Sequence, residues 1–294
     1  MAKVTCFGEV LWDVFPTHEK IGGAPLNVAL RLQSFEHEVT MISAIGDDKR
    51  GKMLVDYISE NGVSTKFIQI LDTLDTGKVL VHLNDKGSAT YDIAFPCAWD
   101  SIGINDHLKQ LVKDSDAFVF GSLVARNSIS KSTLFELLDL SPYNIFDLNL
   151  RPPHYSKELL IALMQKADFI KFNDDELFEV SAYLGSKYLS IEQNIRFISE
   201  VTKTKHICVT KGSHGAVLFY NGKLYYNSGY LIKVKDTVGA GDSFLGSLIS
   251  QLLYNINPQE AIDFACAVGA LVAQSEGANP KISIDTVQKF INPY

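Results

Sequence analysis

A chain of 294 residues is long enough to bury a large core, in one α/β domain or in two smaller ones. Its formal net charge is −7 with no run of like charges, which excludes the basic face of a nucleic-acid binder, and its 46% apolar and 21% charged residues are an ordinary globular balance. The four cysteines, Cys6, Cys97, Cys208 and Cys266, lie far apart without CxxC spacing, so buried free thiols are expected rather than a disulfide framework.

Taken in chain order, the N-terminal MAKVTCFGEV lacks the apolar core of a signal peptide, and VTCFGEV reads as a strand. EVTMISAIG, DAFVFGS, NIFDLNL, DFIKFN and HICVTKG repeat that pattern, each an apolar run of the kind buried on both faces of a sheet. Between them GKMLVDYISENG, SISKSTLFELLDL, SKELLIALMQKA, DDELFEVSAYLG and SIEQNIRFISEVT carry helical periodicity. Strand–helix alternation predicts a parallel sheet covered by helices on both faces. TGKVLVHLNDKGSATYDIAFP interrupts the rhythm. It alternates apolar and polar residues about a turn at Asn84-Asp85-Lys86-Gly87, so it reads as a β-hairpin, either a lid over the strand ends or a plain edge hairpin. From Gly239 onward the chain turns helical, and its longest apolar stretch, AIDFACAVGALVA, is too short to span a bilayer and is broken by Asp263. A cytoplasmic protein with no membrane partner is the expectation.

Several segments can carry chemistry. In DTVGAGDSF the small residues Gly239-Ala240-Gly241 precede an apolar helix, where open amides and the helix dipole favour a phosphate. Asp242, in the first turn, is suited to take a proton from an attacking hydroxyl, although an isolated GAGD would read equally as a helix start complementing the dipole. In DLNLRPP, strand alternation puts Asp147, Asn149 and Arg151 on one side at a strand end, and Arg151 is either a phosphate or sugar contact or a surface residue before a turn. NDDE, residues 173–176, follows a strand and fits a helix N-cap at Asn173. TKGSHGA reads as a turn at Gly212 and Gly215. The P-loop spacing at Gly46–Met53 is discounted, because Met53 stands where a Ser or Thr would hold Mg²⁺ and two aspartates would sit inside a phosphate cradle. The seven histidines show no metal spacing and no nucleophile-elbow context.

DTVGAGDSF and the N-terminal GGAPLNVALRLQSF together resemble the two signature motifs of the phosphofructokinase-B (ribokinase-like) carbohydrate kinases. GEVLWDVFP, AIGDDKRG, DLNLRPP, NDDE and TKGSHGA continue the resemblance in the family's order over nearly the whole chain. GEVLWD, GGAPLN, YDIAFPCAWDSI and DLNLR look most like bacterial fructokinases. The resemblance implies a single domain over residues 1–294: a ribokinase-like, doubly wound, mostly parallel α/β sheet with helices on both faces. It also implies a small β lid from about 10–20 and 76–96.

The resemblance further implies that Asp242 is the catalytic base and that the amides of Gly239, Ala240 and Gly241 form an anion hole. Asp13, Gly22, Gly23 and Asn27 match sugar-binding positions, with Arg151 beside them, although Gly22-Gly23 alone would be a turn and Asn27 a polar helix residue. Asn173, Thr210, Gly212, Ser213 and Gly215 would lie on the ATP side, and Glu176 would meet Mg²⁺ through water. Adenine would be walled by apolar side chains of the C-terminal helices. Backbone carbonyls of Asp236 and Val238 would supply a K⁺ site. The implied reaction is fructose phosphorylation, with ribose, tagatose, 2-keto-3-deoxygluconate or a non-catalytic sensor as the alternatives, and a homodimer through paired lids is allowed. Two departures stand out. Only eight residues separate Asp13 from Gly22, a shorter stretch than fructokinases carry, and Lys281 falls where cation-binding relatives have a small residue.

Overall fold

The structure is a computed structural model that describes residues 1–83 and 89–293. The expected turn at Asn84–Gly87 therefore lies outside the described residues. The elements run β1 (Lys3–Phe7), β2 (Leu11–Val14), β3 (Glu19–Gly22), α1 (Ala24–Ser34), β4 (Glu38–Gly46), α2 (Lys49–Glu60), β5 (Ser64–Leu71), β6 (Gly77–Leu83) and β7 (Ala89–Ile93). They continue as α3 (Asp106–Lys113), β8 (Ala117–Gly121), α4 (Ser128–Leu138), β9 (Asn144–Asp147), α5 (Lys157–Met164), β10 (Phe169–Asn173) and α6 (Asp174–Tyr183). The remainder is α7 (Ile191–Thr202), β11 (His206–Thr210), β12 (Ala216–Tyr220), β13 (Lys223–Asn227), α8 (Ala240–Leu253), α9 (Pro258–Ala273) and α10 (Ile284–Ile291).

Nine strands form one sheet in the order β13-β12-β11-β10-β9-β8-β1-β4-β5, with every pairing parallel except β11–β12 and β12–β13 at one edge. The apolar runs predicted the parallel strands because both faces of each strand are buried. On β8, Phe118 and Phe120 point into the core made with α3 to α7, while Ala117 and Val119 point into the core made with α1, α2, α8 and α9. Phe120 stacks on Phe146 of β9 at 4.9 Å between ring centres. Parallel strands bring all their carboxyl ends to one edge, where open α/β sheets place ligands.

The second sheet has the order β3-β2-β6-β7. Its strands arise from the two connections β1–α1 and β5–α3, and β2 and β6 run parallel side by side. The Gly46–Met53 segment belongs to this junction. Asp48 caps α2 through Gly51 N–H and also accepts from the amide and hydroxyl of Thr76 at 2.8 and 2.9 Å, so its carboxylate is fully used in holding the start of β6. That removes the phosphate-cradle reading for good. At the far end of β7, the Arg126 guanidinium grips Asp100 with two bonds of 2.7 Å and donates to the Ala94 carbonyl at 2.6 Å.

The sequence did not announce β5 or α3, it expected β2 and β3 only as part of a lid over about 10–20, and it carried NIFDLNL too far. The strand stops at Asp147, because Asn149 takes a left-handed φ of 42°. All four cysteines are free and buried, as expected. Among the described residues no helix is long and apolar enough to cross a membrane.

The Asp100–Arg126 pair is 0% and 3% exposed, so removing one partner strands the other charge in the core. Arg126→Met should cost about 3–5 kcal/mol of stability in a denaturant titration. A loss indistinguishable from a surface substitution would contradict this reading.

Candidate active site

Two cavities meet at the start of α8. The first, about 560 Å³, lies between the two sheets and is lined by Asp13, Asn27, Arg151 and Asp242, among others. The second, about 430 Å³, lies between the β10–β12 loops and helices α8 and α9. Thr237 and Gly241 are on the walls of both, so the Gly-Ala-Gly turn is the partition between them.

The partition is built from what glycine permits. Gly239 caps α8 with φ of 74° and no side-chain hydrogen bond, and a Cβ there would collide with Ala278. Ala240 N–H donates to the Thr237 carbonyl at 3.2 Å, but no side chain caps the first turn of α8, which lies where the cavities join. Asp242 follows in the first turn. Its Oδ2 accepts from Asn27 Nδ2 at 2.8 Å, and Asn27 Oδ1 in turn accepts from Asn279 Nδ2 at 2.7 Å. Asn27 thus lines the first cavity, and its amide also orients the aspartate.

The Gly22-Gly23 pair also has a steric role. A Cβ on Gly22 would strike Asp13 Oδ2, and one on Gly23, with φ of 117°, would strike the Glu9 carbonyl. Gly23 and Asp13 both reach the cavity wall. Arg151 reaches the same wall, yet not by strand alternation with Asp147. Asn149 and Arg151 lie past the end of β9, whereas Asp147 is buried beneath them in an ion pair with Lys171 of 3.1 Å.

In the second cavity the structure brings together Asn173, Thr210, Gly212, Ser213 and Gly215. Gly215 has φ of 76°, and a Cβ there would strike the Asn227 carbonyl. The opposite wall carries Phe244, Cys266 and Ala270 of α8 and α9, with Tyr230, which fits the apolar wall expected from the C-terminal helices. Asn173 is at once wall and cap: its side chain accepts from Glu176 N–H at 2.8 Å. Glu176 is on neither wall. It is buried, and its two oxygens accept backbone N–H groups of Leu150 and Asn173 at 2.9 and 2.8 Å. Asp236 spends its carboxylate on the amides of Val238 and Gly277, while Lys281 lines a separate outer cavity with Arg31 and Asn279.

Sequence reasoning passed over Glu9, Lys171 and Asn279, which the structure sets at the site. A signal existed only for Lys171, a lone lysine inside an apolar run read as buried on both faces. Its Nζ stands 3.5 Å from where a Cβ on Gly241 would sit. Burial alone would lower its pKa, but the carboxylates of Asp147, Glu176 and Asp242 outweigh that and raise it above the ordinary lysine value.

Three carboxyls of the first cavity are strained in the opposite sense. Burial pushes Asp242 up to about 6, helped by the charge of Asp147 and opposed by the Asn27 hydrogen bond, Lys171 and Arg151. Burial likewise pushes Asp13 up to about 6 and Glu9 up to about 7. Glu9 Oε2 has no hydrogen-bond partner among the described residues.

A carboxyl with a raised folded pKa contributes stability that is complete below the unfolded value, near 3.9, and lost as pH rises through the folded one. At pH 7 the charge on Asp242 is therefore a burden on the fold. Asp242→Asn should melt at or above the parent temperature at pH 7, and the difference should shrink toward pH 4. A variant that melts well below the parent at pH 7 would show that the carboxylate is a structural anchor instead.

Residues 1–285 match the profile described as pfkB family carbohydrate kinase. A fructokinase of Vibrio alginolyticus is 25% identical over 307 residues, which span 97% of each chain. Among solved structures, the fructokinase with bound ATP from Xylella fastidiosa superposes with a TM-score of 0.86 at 22% identity, covering 99% of this chain and 98% of that one. The aminoimidazole riboside kinase of Salmonella enterica, solved with aminoimidazole riboside and an ATP analogue, superposes at 0.82 and 23% identity, over 99% and 100% of the two chains. A profile match over nearly the full length, on a fold shared with these kinases, places the chain in the pfkB family of carbohydrate kinases.

Proposed function

We propose that this carbohydrate kinase transfers the terminal phosphoryl group of ATP to the 6-hydroxyl of D-fructose, giving fructose 6-phosphate and ADP. The observation that carries the proposal is the junction of two cavities at Gly241, with Asp242 on the wall of one and an uncapped helix start facing both.

In this reading the first cavity holds the sugar. Asp13 accepts from sugar hydroxyls, and Arg151 and Asn27 stand on the same wall. The second cavity holds ATP, its phosphates toward Thr210, Gly212, Ser213 and Gly215 and its adenine against the apolar side of α8 and α9. Asp242 takes the proton of the hydroxyl as its oxygen bonds to the γ-phosphorus. The bond from that phosphorus to the β–γ bridging oxygen breaks, and ADP leaves with the electron pair. The amides of Gly239 and Gly241 receive the charge on the transferring group, whereas the Ala240 N–H expected beside them is held by the Thr237 carbonyl.

Among the described residues no group of three or more His, Cys, Asp and Glu side chains is close enough to hold a metal. Glu176 lies on neither cavity wall, and both its oxygens already accept backbone N–H groups. Mg²⁺ would therefore arrive on the nucleotide phosphates with water completing its shell, and Glu176 would act on it only from a distance. Bound there, Mg²⁺ would neutralise phosphate charge. For K⁺ the candidate ligands are the carbonyls of Asp236 and Val238, and Lys281 faces a different cavity from Val238. The second sheet serves as a lid, since Leu11, Asp13, Phe15, Val79 and Tyr91 cover the sugar cavity and would exclude water from ATP.

One observation favours a second reading. Phe15 and Tyr91 give the sugar cavity aromatic walls, a surface on which the base of a riboside would stack. A coupled ADP-release assay over fructose, ribose, tagatose, 2-keto-3-deoxygluconate and aminoimidazole riboside decides between them. Fructose should give the highest kcat/KM, and a riboside preferred over fructose would reverse the assignment.

Asp242→Asn should lower kcat by roughly 10²–10⁴-fold while ATP still binds, as expected for loss of a general base. Near-parental turnover would remove the aspartate from its role. In the parent, kcat/KM should fall below a pH of about 6, because Asp242 must be ionised to act and its pKa is held there. A profile flat down to pH 4.5 would contradict that assignment.

A further inference from the structure

We propose that Lys171 is a further catalytic residue, whose ammonium grips the transferring phosphoryl group beside the α8 amides while Asp147 holds it in position. The proposal rests on the kinase reading above. It begins with the register of the main sheet, which sets Lys171 of β10 directly beside Asp147 of β9. From there the lysine side chain, 7% exposed, ends on the wall of the sugar cavity, close against Gly241.

An ammonium carries three donors. Among the described residues only one is used, toward Asp147 Oδ1 at 3.1 Å, while Asp147 Oδ2 has no partner at all. An ion pair built only for stability would not be left half satisfied, since burying two charges costs more than a plain pair returns. The spare donors face the partition, where a phosphoryl group passing between the cavities must sit. That group is anionic, and the sugar cavity already presents the carboxylates of Glu9, Asp13 and Asp242. The cations on its wall are Arg151, exposed past the end of β9, and Lys171, buried.

Lysine suits the position. A compact ammonium can keep one bond to Asp147 and offer others to non-bridging oxygens, whereas a planar guanidinium would need a wider, two-point acceptor. Lys171 gives up no proton in the step. It stabilises charge as the sugar oxygen bonds to phosphorus and ADP departs, while the hydroxyl proton goes to Asp242.

The test compares the parent, K171M and the double variant D147N/K171M. K171M alone leaves Asp147 buried without its counter-ion and should melt early; the double variant removes both charges and should fold. In the double variant kcat on the best sugar should fall by roughly 10²–10³-fold, the loss of one donor to a developing charge, with the sugar KM unchanged. Calorimetric titration with Mg²⁺ should show affinity for AMP-PNP reduced by about tenfold, as for a lost charge-assisted hydrogen bond, with ADP binding unchanged.

A folded double variant with parental kcat and a parental AMP-PNP to ADP affinity ratio would overturn the proposal and reduce Lys171 to the counter-ion of Asp147. If the parent turns over no sugar but the affinity ratio still collapses in the double variant, the kinase reading fails and the phosphoryl contact of Lys171 stands.

Discussion

A helix that begins without a side-chain cap, at the meeting point of two cavities, is the constraint from which the rest of the site follows. Gly239 can adopt its left-handed conformation against Ala278 only because it has no Cβ, and the open amides of α8 are the result. Any residue with a side chain there would push the C-terminal segment away or close the anion site. The Gly22-Gly23 pair obeys the same rule on the opposite wall, where the missing side chains make room for Asp13 and the Glu9 carbonyl.

Electrostatics then explains why the surroundings are so heavily tied down. Glu9, Asp13 and Asp242 share a wall with few cations, and burial raises the pKa of each. Such strain persists only if the fold holds the groups in place. Asn27 and Asn279 do this for Asp242, linking it to a segment 252 residues away from α1 in sequence, and the main-sheet register does it for Lys171. The site gives up stability for chemistry, a trade-off familiar in enzymes.

Much of this was legible in the sequence where the physics is local. The parallel strands are apolar runs buried on both faces, and the GAGD turn, the NDDE cap and the Gly212–Gly215 turn each declare a backbone shape within a few residues. What escaped depends on distant pairing. The Lys171–Asp147 pair exists only once β9 and β10 are in register, and Asn279 gains meaning only against Asn27. Strand alternation failed at Asn149, whose positive φ ends β9 three residues earlier than the pattern suggested. Short strands such as β2 and β3 are specified by their neighbours in the second sheet more than by their own four residues each.

The central claim is that sugar and nucleotide occupy separate cavities and react across Gly241. A crystal structure of the protein with fructose and AMP-PNP tests it most directly. The expected result is a sugar hydroxyl within hydrogen-bond reach of Asp242, with the terminal phosphoryl group against the first amides of α8. Both ligands in one cavity, or a terminal phosphoryl group turned away from Gly239–Gly241, would contradict the account.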